Sequence, residues 1–160
     1  AAMIVRTPLQ DASRRGKAWR LSVNARDPAG ADDRFVQITN NGPRALEFLE
    51  MEMSSTVAGN VEPQLVTGVG DGTTQKGTTA LANLGDSSAD PDAVVDAGND
   101  IVTLTTVKDL GFHYLVADTP RMIALGFRLE QGESMALNWE SATGILSGHI
   151  DFFEVTEEDN

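Results

Sequence analysis

Two histidines, a run of aspartates and three alternating glycines are the places where this chain could do chemistry. His113 and His149 lie far apart, each inside a strand-like run. A metal or acid–base centre needs carboxylates converging with an imidazole, and lone strand histidines more often hydrogen-bond structurally. There is no Gly-x-Ser-x-Gly elbow to aim a nucleophile, and the absence of cysteine removes thiolate catalysis, disulfides and cysteine-ligated zinc. Gly68, Gly70 and Gly72 resemble a phosphate loop. They lack the Gly-Lys-Ser/Thr ending and the strand-then-helix setting, so they read as a flexible turn. Asp86, Asp90, Asp92, Asp96 and Asp100 offer hard oxygen ligands to calcium, yet no glycine at the sixth position or glutamate at the twelfth completes an EF-hand loop. They read as turn and cap residues. Among the aromatics, Trp139 is in phase with Met135 and Leu137 and belongs to a core, whereas Trp19, beside Arg20, reads as an exposed anchor. No catalytic residue, metal or cofactor is expected.

The elements that hold these residues alternate with period two. Leu21 and Val23 open the first strand, and Phe35–Ile38 follows after a turn at Asp27-Pro28-Ala29-Gly30. In Ala45–Met53 the apolar phase slips by one residue at Phe48 and Leu49, the signature of a β-bulge; a helix is the competing assignment for this glutamate-rich run. Pro63, between Val61 and Leu65, predicts an edge position or a bulge. Residues 67–100 form a polar excursion too long to be structureless, and so one with short strands and a contact surface. Further strands are expected at Ile101–Val107, Phe112–Val116, Met122–Leu129, Met135–Glu140 and Ile145–Val155. About nine strands with turns every eight to twelve residues spell an all-β, antiparallel β-sandwich or jelly roll.

The 160 residues suit one domain, and no run is apolar enough to span a membrane as a helix. The expectation is a soluble protein made in the cytosol, with no membrane partner. Its net charge of -12 disfavours nucleic acid, whose phosphates the average field repels. That charge is unevenly placed. Residues 1–44 hold eight of the twelve basic residues against four acids, while the remainder carries -16 and ends in Glu157, Glu158 and Asp159. Residues 1–34 therefore read as an extended basic N-terminal arm and first strand, residues 35–156 as the sandwich and residues 157–160 as an acidic tail. Arg6, Arg14, Arg15, Lys17, Trp19, Arg20 and Arg26 are the candidate protein-interface residues. They suit an acidic surface on the chain's own body, on a neighbouring copy or on another protein, with the intermolecular contact favoured.

Three stretches carry a family likeness: VQITNNGPRALEFLEMEMSSTVAGNVEPQLVTG, TALANLGDSSAD and LEQGESMALNWESATGILSGHIDFFEV. From residue 35 to residue 155 their order resembles the small jelly-roll modules of tailed-bacteriophage virions, notably head decoration (cement) proteins and head fibres. The arginine-rich start matches no motif of that family. The resemblance implies a structural virion protein, not an enzyme, that binds the outer surface of an assembled capsid and clamps its major capsid protein as a homo-oligomer, a trimer in the expected case. A receptor- or glycan-binding module of a fibre or spike, using residues 67–100, is the alternative. A jelly-roll metalloenzyme would need a cluster of histidines and carboxylates.

Overall fold

The structure, a computed structural model, describes residues 7–28 and 30–156. Arg6, Ala29 and the acidic tail lie outside the described residues. Among the described residues one short helix, α1 (Pro8–Arg14), precedes twelve strands: β1 (Ala18–Arg26), β2 (Asp33–Asn40), β3 (Leu46–Ser55), β4 (Gly59–Thr67), β5 (Thr73–Thr74), β6 (Leu81–Asn83), β7 (Ala93–Ala97), β8 (Thr105–Asp109), β9 (His113–Leu115), β10 (Arg121–Leu129), β11 (Ser134–Trp139) and β12 (Leu146–Glu154).

They form two antiparallel sheets. The first runs β10-β3-β12-β1-β6 and the second β5-β7-β2-β11-β4-β8, with β9 also on β4. The pairs β1·β12, β2·β11, β3·β10 and β4·β8/β9 are successive rungs of one folded ribbon, and β3·β12 and β4·β11 are the seams where it rolls up on itself. That winding is a jelly roll. The three short strands from residues 67–100 extend both sheets on one side, with β6 on β1, β7 on β2 and β5 on β7. The excess over nine strands comes largely from them.

Alternation fills the space between the sheets. Trp19, Leu21, Val23, Ile150 and Phe152 point inward from the first sheet, and Ile38, Val61, Met135, Leu137 and Trp139 from the second. Phe48 stacks on both Phe127 and Phe152, at ring-centre distances of 5.0 and 5.2 Å. The bulge read in the sequence is present: opposite β12, Glu50 faces Asp151 and Phe48 faces Phe152, which leaves Leu49 extra. Its consequence is that Phe48 and Met51 are both buried although three residues apart.

Pro63 corrects the edge assignment. Its strand β4 is flanked by β11 on one side and by β8 and β9 on the other. The Pro63 carbonyl accepts from Leu110 N, in the gap between β8 and β9. A strand residue's N–H and C=O point the same way, so the donor that proline lacks falls where the ladder is already interrupted.

The extended N-terminal arm is also corrected. Residues 8–14 are helical, and Ala18–Arg26 is an interior strand of the first sheet, bonded to β12 and β6. The first strand expected within residues 1–34 is thus present as β1, and the departure is the helix at residues 8–14.

Candidate functional site

Local chemistry explains how α1 is built and where it sits. Thr7 Oγ1 accepts from Gln10 N while Gln10 Oε1 accepts from Thr7 N, and Pro8 supplies the fixed φ of a first helical residue. This capping box with its proline is a sequence signal for a helix that the charge-based reading passed over. Ala12 is fully buried in a satellite cluster with Ala18, Ala45, Phe153 and Val155, joined by Leu9, Leu49 and Leu84. Gly85 lets the helix approach, since a Cβ there would lie 2.0 Å from the Ser13 carbonyl oxygen.

So placed, α1 gathers cations at the end of the sandwich where β12 finishes. Arg15 Nε lies 3.3 Å from Asp11, and its Nη2 donates to the Glu154 carbonyl at 3.4 Å. Arg44 Nε is 3.9 Å from Glu154 Oε1. The Lys17 carbonyl accepts from Glu154 N, and Arg14 stands exposed beside a shallow depression lined by Ser13, Leu84, Gly85 and Asp86. Arg15 and Arg44 thus reach Glu154, the last residue of β12, Lys17 meets it through the backbone, and Arg14 stands on the adjoining helix beside Asp86.

The other predicted interface residues are elsewhere. Trp19 is 1% exposed and its Nε1–H donates to the Ala89 carbonyl at 2.8 Å, so it is a core residue and not an exposed anchor. Burial among apolar side chains with the N–H satisfied is how an indole is normally held in a core. Arg20 is gripped by Asp151 of its own chain. Arg26 sits at the opposite end of β1, beyond a bulge at Asn24 and Ala25, with its Nε buried and without a hydrogen-bond partner among the described residues.

Outward side chains of the first sheet form cross-strand rows: Arg20–Asp151–Glu50–Ala124 and Ser22–His149–Glu52–Met122. His149 belongs to this surface. His113 is on the other sheet, opposite Val61, and burial together with the nearby Arg121 charge lowers its pKa. The two imidazoles are thus not brought together.

The outer face of the second sheet is polar and covered. Residues 98–104 cross it as a strap: Ile101 N donates to the Arg34 carbonyl, Val102 N to Asp71, and the Arg34 guanidinium to the Leu104 carbonyl and to Gln64. Beneath and beside it Gln37, Gln64, Glu62 and Asn138 are buried, with Asn138 Nδ2 donating to Glu62 at 2.8 Å and to Asp32 at 3.2 Å. Burial pushes the Glu62 carboxyl up, the Asn138 hydrogen bond opposes this, and Asp32, Glu140 and Asp109 add to it. Gly68, Gly70 and Gly72 are close-packing positions against this strap and not a flexible turn. A Cβ on Gly68 would lie 2.4 Å from the Thr103 oxygen, and one on Gly70 would lie 2.4 Å from Ile101. The aspartates of residues 86–100 are dispersed, from Asp92 beside Gly42 to Asp96 on β7, and the described residues contain no group of three or more carboxylates and histidines that could hold a metal ion.

Compared with known proteins, the chain matches no family model, no curated sequence and no solved structure.

Proposed function

We propose that this chain is a structural virion protein that binds the outer surface of an assembled phage capsid and stabilises it. The reading draws on the likeness of residues 35–155 to decoration modules. It is carried by one observation: Arg14, Arg15, Lys17 and Arg44 come from segments that meet where β12 finishes, where they outnumber the carboxylates Asp11, Asp86 and Glu154 although the chain as a whole is strongly acidic. A localised cationic end on a molecule of net charge -12 orients it toward an acidic surface and fixes which end docks. The major capsid protein is the partner in this reading. Bound copies would stabilise the shell by mass action, as any ligand specific for the assembled state does.

Arg14 and Lys17 are the residues to change, because Arg15 and Arg20 already serve the fold. The test is co-sedimentation of the purified chain with empty heads built from the major capsid protein of the same genome. The expected result is saturation at a fixed number of copies per head, with the double variant Arg14→Glu/Lys17→Glu losing binding more than about tenfold. Failure of the unaltered chain to sediment with heads, or equal binding by the double variant, overturns the proposal.

A further inference from the structure

At one corner of the second sheet an exposed aromatic row lies beside carboxylates. Phe112, Tyr114 and Val116 are 63, 54 and 59% exposed, whereas Leu115 turns into the core. An isolated exposed valine calls for no explanation, but two aromatics and a valine in one outward row do. Strand pairing sets what stands next to them. Tyr114 opposes Asn60 on β4, and Asn60 N donates at 2.9 Å to Oε1 of Glu140, the residue after β11. Leu110 N bonds to the Pro63 carbonyl and His113 opposes Val61, so Phe112 passes alongside Glu62. Asn60 and Glu62 flank Val61, a core residue, and therefore share the outward face with Tyr114.

The charges that meet here have one sign. Asp32, Glu140 and Asp109 all act on Glu62 through space, each against its ionisation. Among the described residues none of these four carboxylates is in a salt bridge. Arg34 is held by Gln64, Leu104 and Thr106, and Arg121 by the Tyr114 carbonyl. Glu62 is 7% exposed, yet Asn138 bonds only its Oε2 and leaves Oε1 without a donor. That oxygen is not sealed away, since the one sealed side-chain atom without a partner among the described residues is Arg26 Nε.

We propose that this corner binds an arginine side chain carried on an extended basic segment of another protein. A guanidinium lying on the Tyr114 or Phe112 ring gains cation–π attraction, and its fork supplies donors to Glu140 and to the open Glu62 oxygen. The like charges around Glu62 are what such a cation offsets. Outward residues of a strand recur about every 7 Å, so Phe112 to Val116 spans roughly 13 Å, more than one small amine covers and a fit for a few residues of extended chain. The inference stands apart from the capsid reading. Asp118, just past the row, bonds to Ser55 at the far end of β3 from Leu46 and Arg44, so the two surfaces can be occupied at once.

Fluorescence anisotropy of a labelled decapeptide of alternating Arg and Thr, titrated with about 1 to 500 µM of the pure chain, tests this. The expected result is saturable binding, about threefold weaker for the Lys–Thr peptide and absent for the Glu–Thr peptide. Tyr114→Ala and Phe112→Ala, which leave the net charge unchanged, each weaken binding about threefold or more. Glu140→Gln, which keeps an oxygen for Asn60, does the same. Glu52→Gln, on the outer face of the other sheet, removes an equal charge and leaves the affinity unaltered. Full-strength binding by both aromatic variants, or an equal loss in Glu52→Gln, means attraction to net charge alone and overturns the inference. Displacement of the peptide by a neutral glucan oligomer overturns it too. So does a doubled mass of the unmixed chain that Tyr114→Ala abolishes, because a second copy then covers the row.

Discussion

Arg20 and Asp151 face each other across β1 and β12, and the guanidinium grips both carboxylate oxygens, Nε at 2.8 Å and Nη2 at 2.9 Å. The Asp151 side chain is 5% exposed and that of Arg20 42%. The pair is thus a buried acceptor closed by a half-exposed fork, the bidentate geometry that arginine supplies and lysine does not. Glu50 and Glu52 lie close enough to reinforce the arginine's charge through space. Arg20→Met leaves a buried carboxylate without its donors and costs about 2 kcal/mol. Asp151→Asn keeps one acceptor and costs less, about 1 kcal/mol. Urea unfolding at constant slope reads both; an unchanged midpoint for Arg20→Met would mean the ion pair is decorative.

Trp19 gives the sharpest contrast between an interface role and a core role. Its ring lies 5.7 Å from that of Phe152 and its N–H is used by Ala89. Trp19→Ala therefore removes about 3–5 kcal/mol of stability. Because Trp139 is buried too, the native chain shows blue-shifted tryptophan emission with little acrylamide quenching, and both change together on unfolding. Strong quenching of one indole in the native state would place Trp19 at the surface.

The period-two rule that assigns Trp139 to the core, through Met135 and Leu137, applies equally to Trp19 with Leu21 and Val23. The neighbouring arginines outweighed it, although they alternate outward on the same strand. The slip at Leu49 was legible because a bulge is a local event, written into the order of apolar and acidic residues along β3. That residues 67–100 hold short strands was legible from the length of the polar run, but the positions of β5, β6 and β7 were not, because each is defined by a register with a partner tens of residues away. The same holds for the cationic end. Arg44 meets Glu154 only once β12 has returned beside β3, and no spacing along the chain announces that meeting.

Gly148 separates steric need from conformational need. It lies within β12 opposite Met53, and a Cβ there would be 2.0 Å from the Glu52 carbonyl oxygen and 2.9 Å from Met53 Cα. Those atoms are backbone and cannot swing aside, so Gly148→Ala must part β12 from β3 at the seam of the roll, costing about 3 kcal/mol. Gly77 has a positive φ of 77°, but a Cβ there would meet nothing within 4 Å. Gly77→Ala incurs only the backbone strain, about 1 kcal/mol. Thermal midpoints of the two variants should rank in that order, and equal losses would deny the close approach.

Glu62 makes stability depend on pH in a direction opposite to the usual carboxylate. The residue is 7% exposed, and burial raises its pKa above the ordinary 4.5, Asn138 notwithstanding. The folded state then holds the proton more tightly than the unfolded one, so Glu62's contribution is fully present below about 4.5 and is lost as pH rises through the folded value. Glu62→Gln keeps an oxygen to accept from Asn138 and removes the charge that Asp32, Glu140 and Asp109 repel. The variant should match the unaltered chain near pH 4 and exceed it in thermal midpoint at about pH 7. Other carboxylates titrate over the same range, so the readout is the difference between the two proteins at each pH. A difference that is constant across that range, or that favours the unaltered chain at neutral pH, would show that Glu62 is held charged by its neighbours.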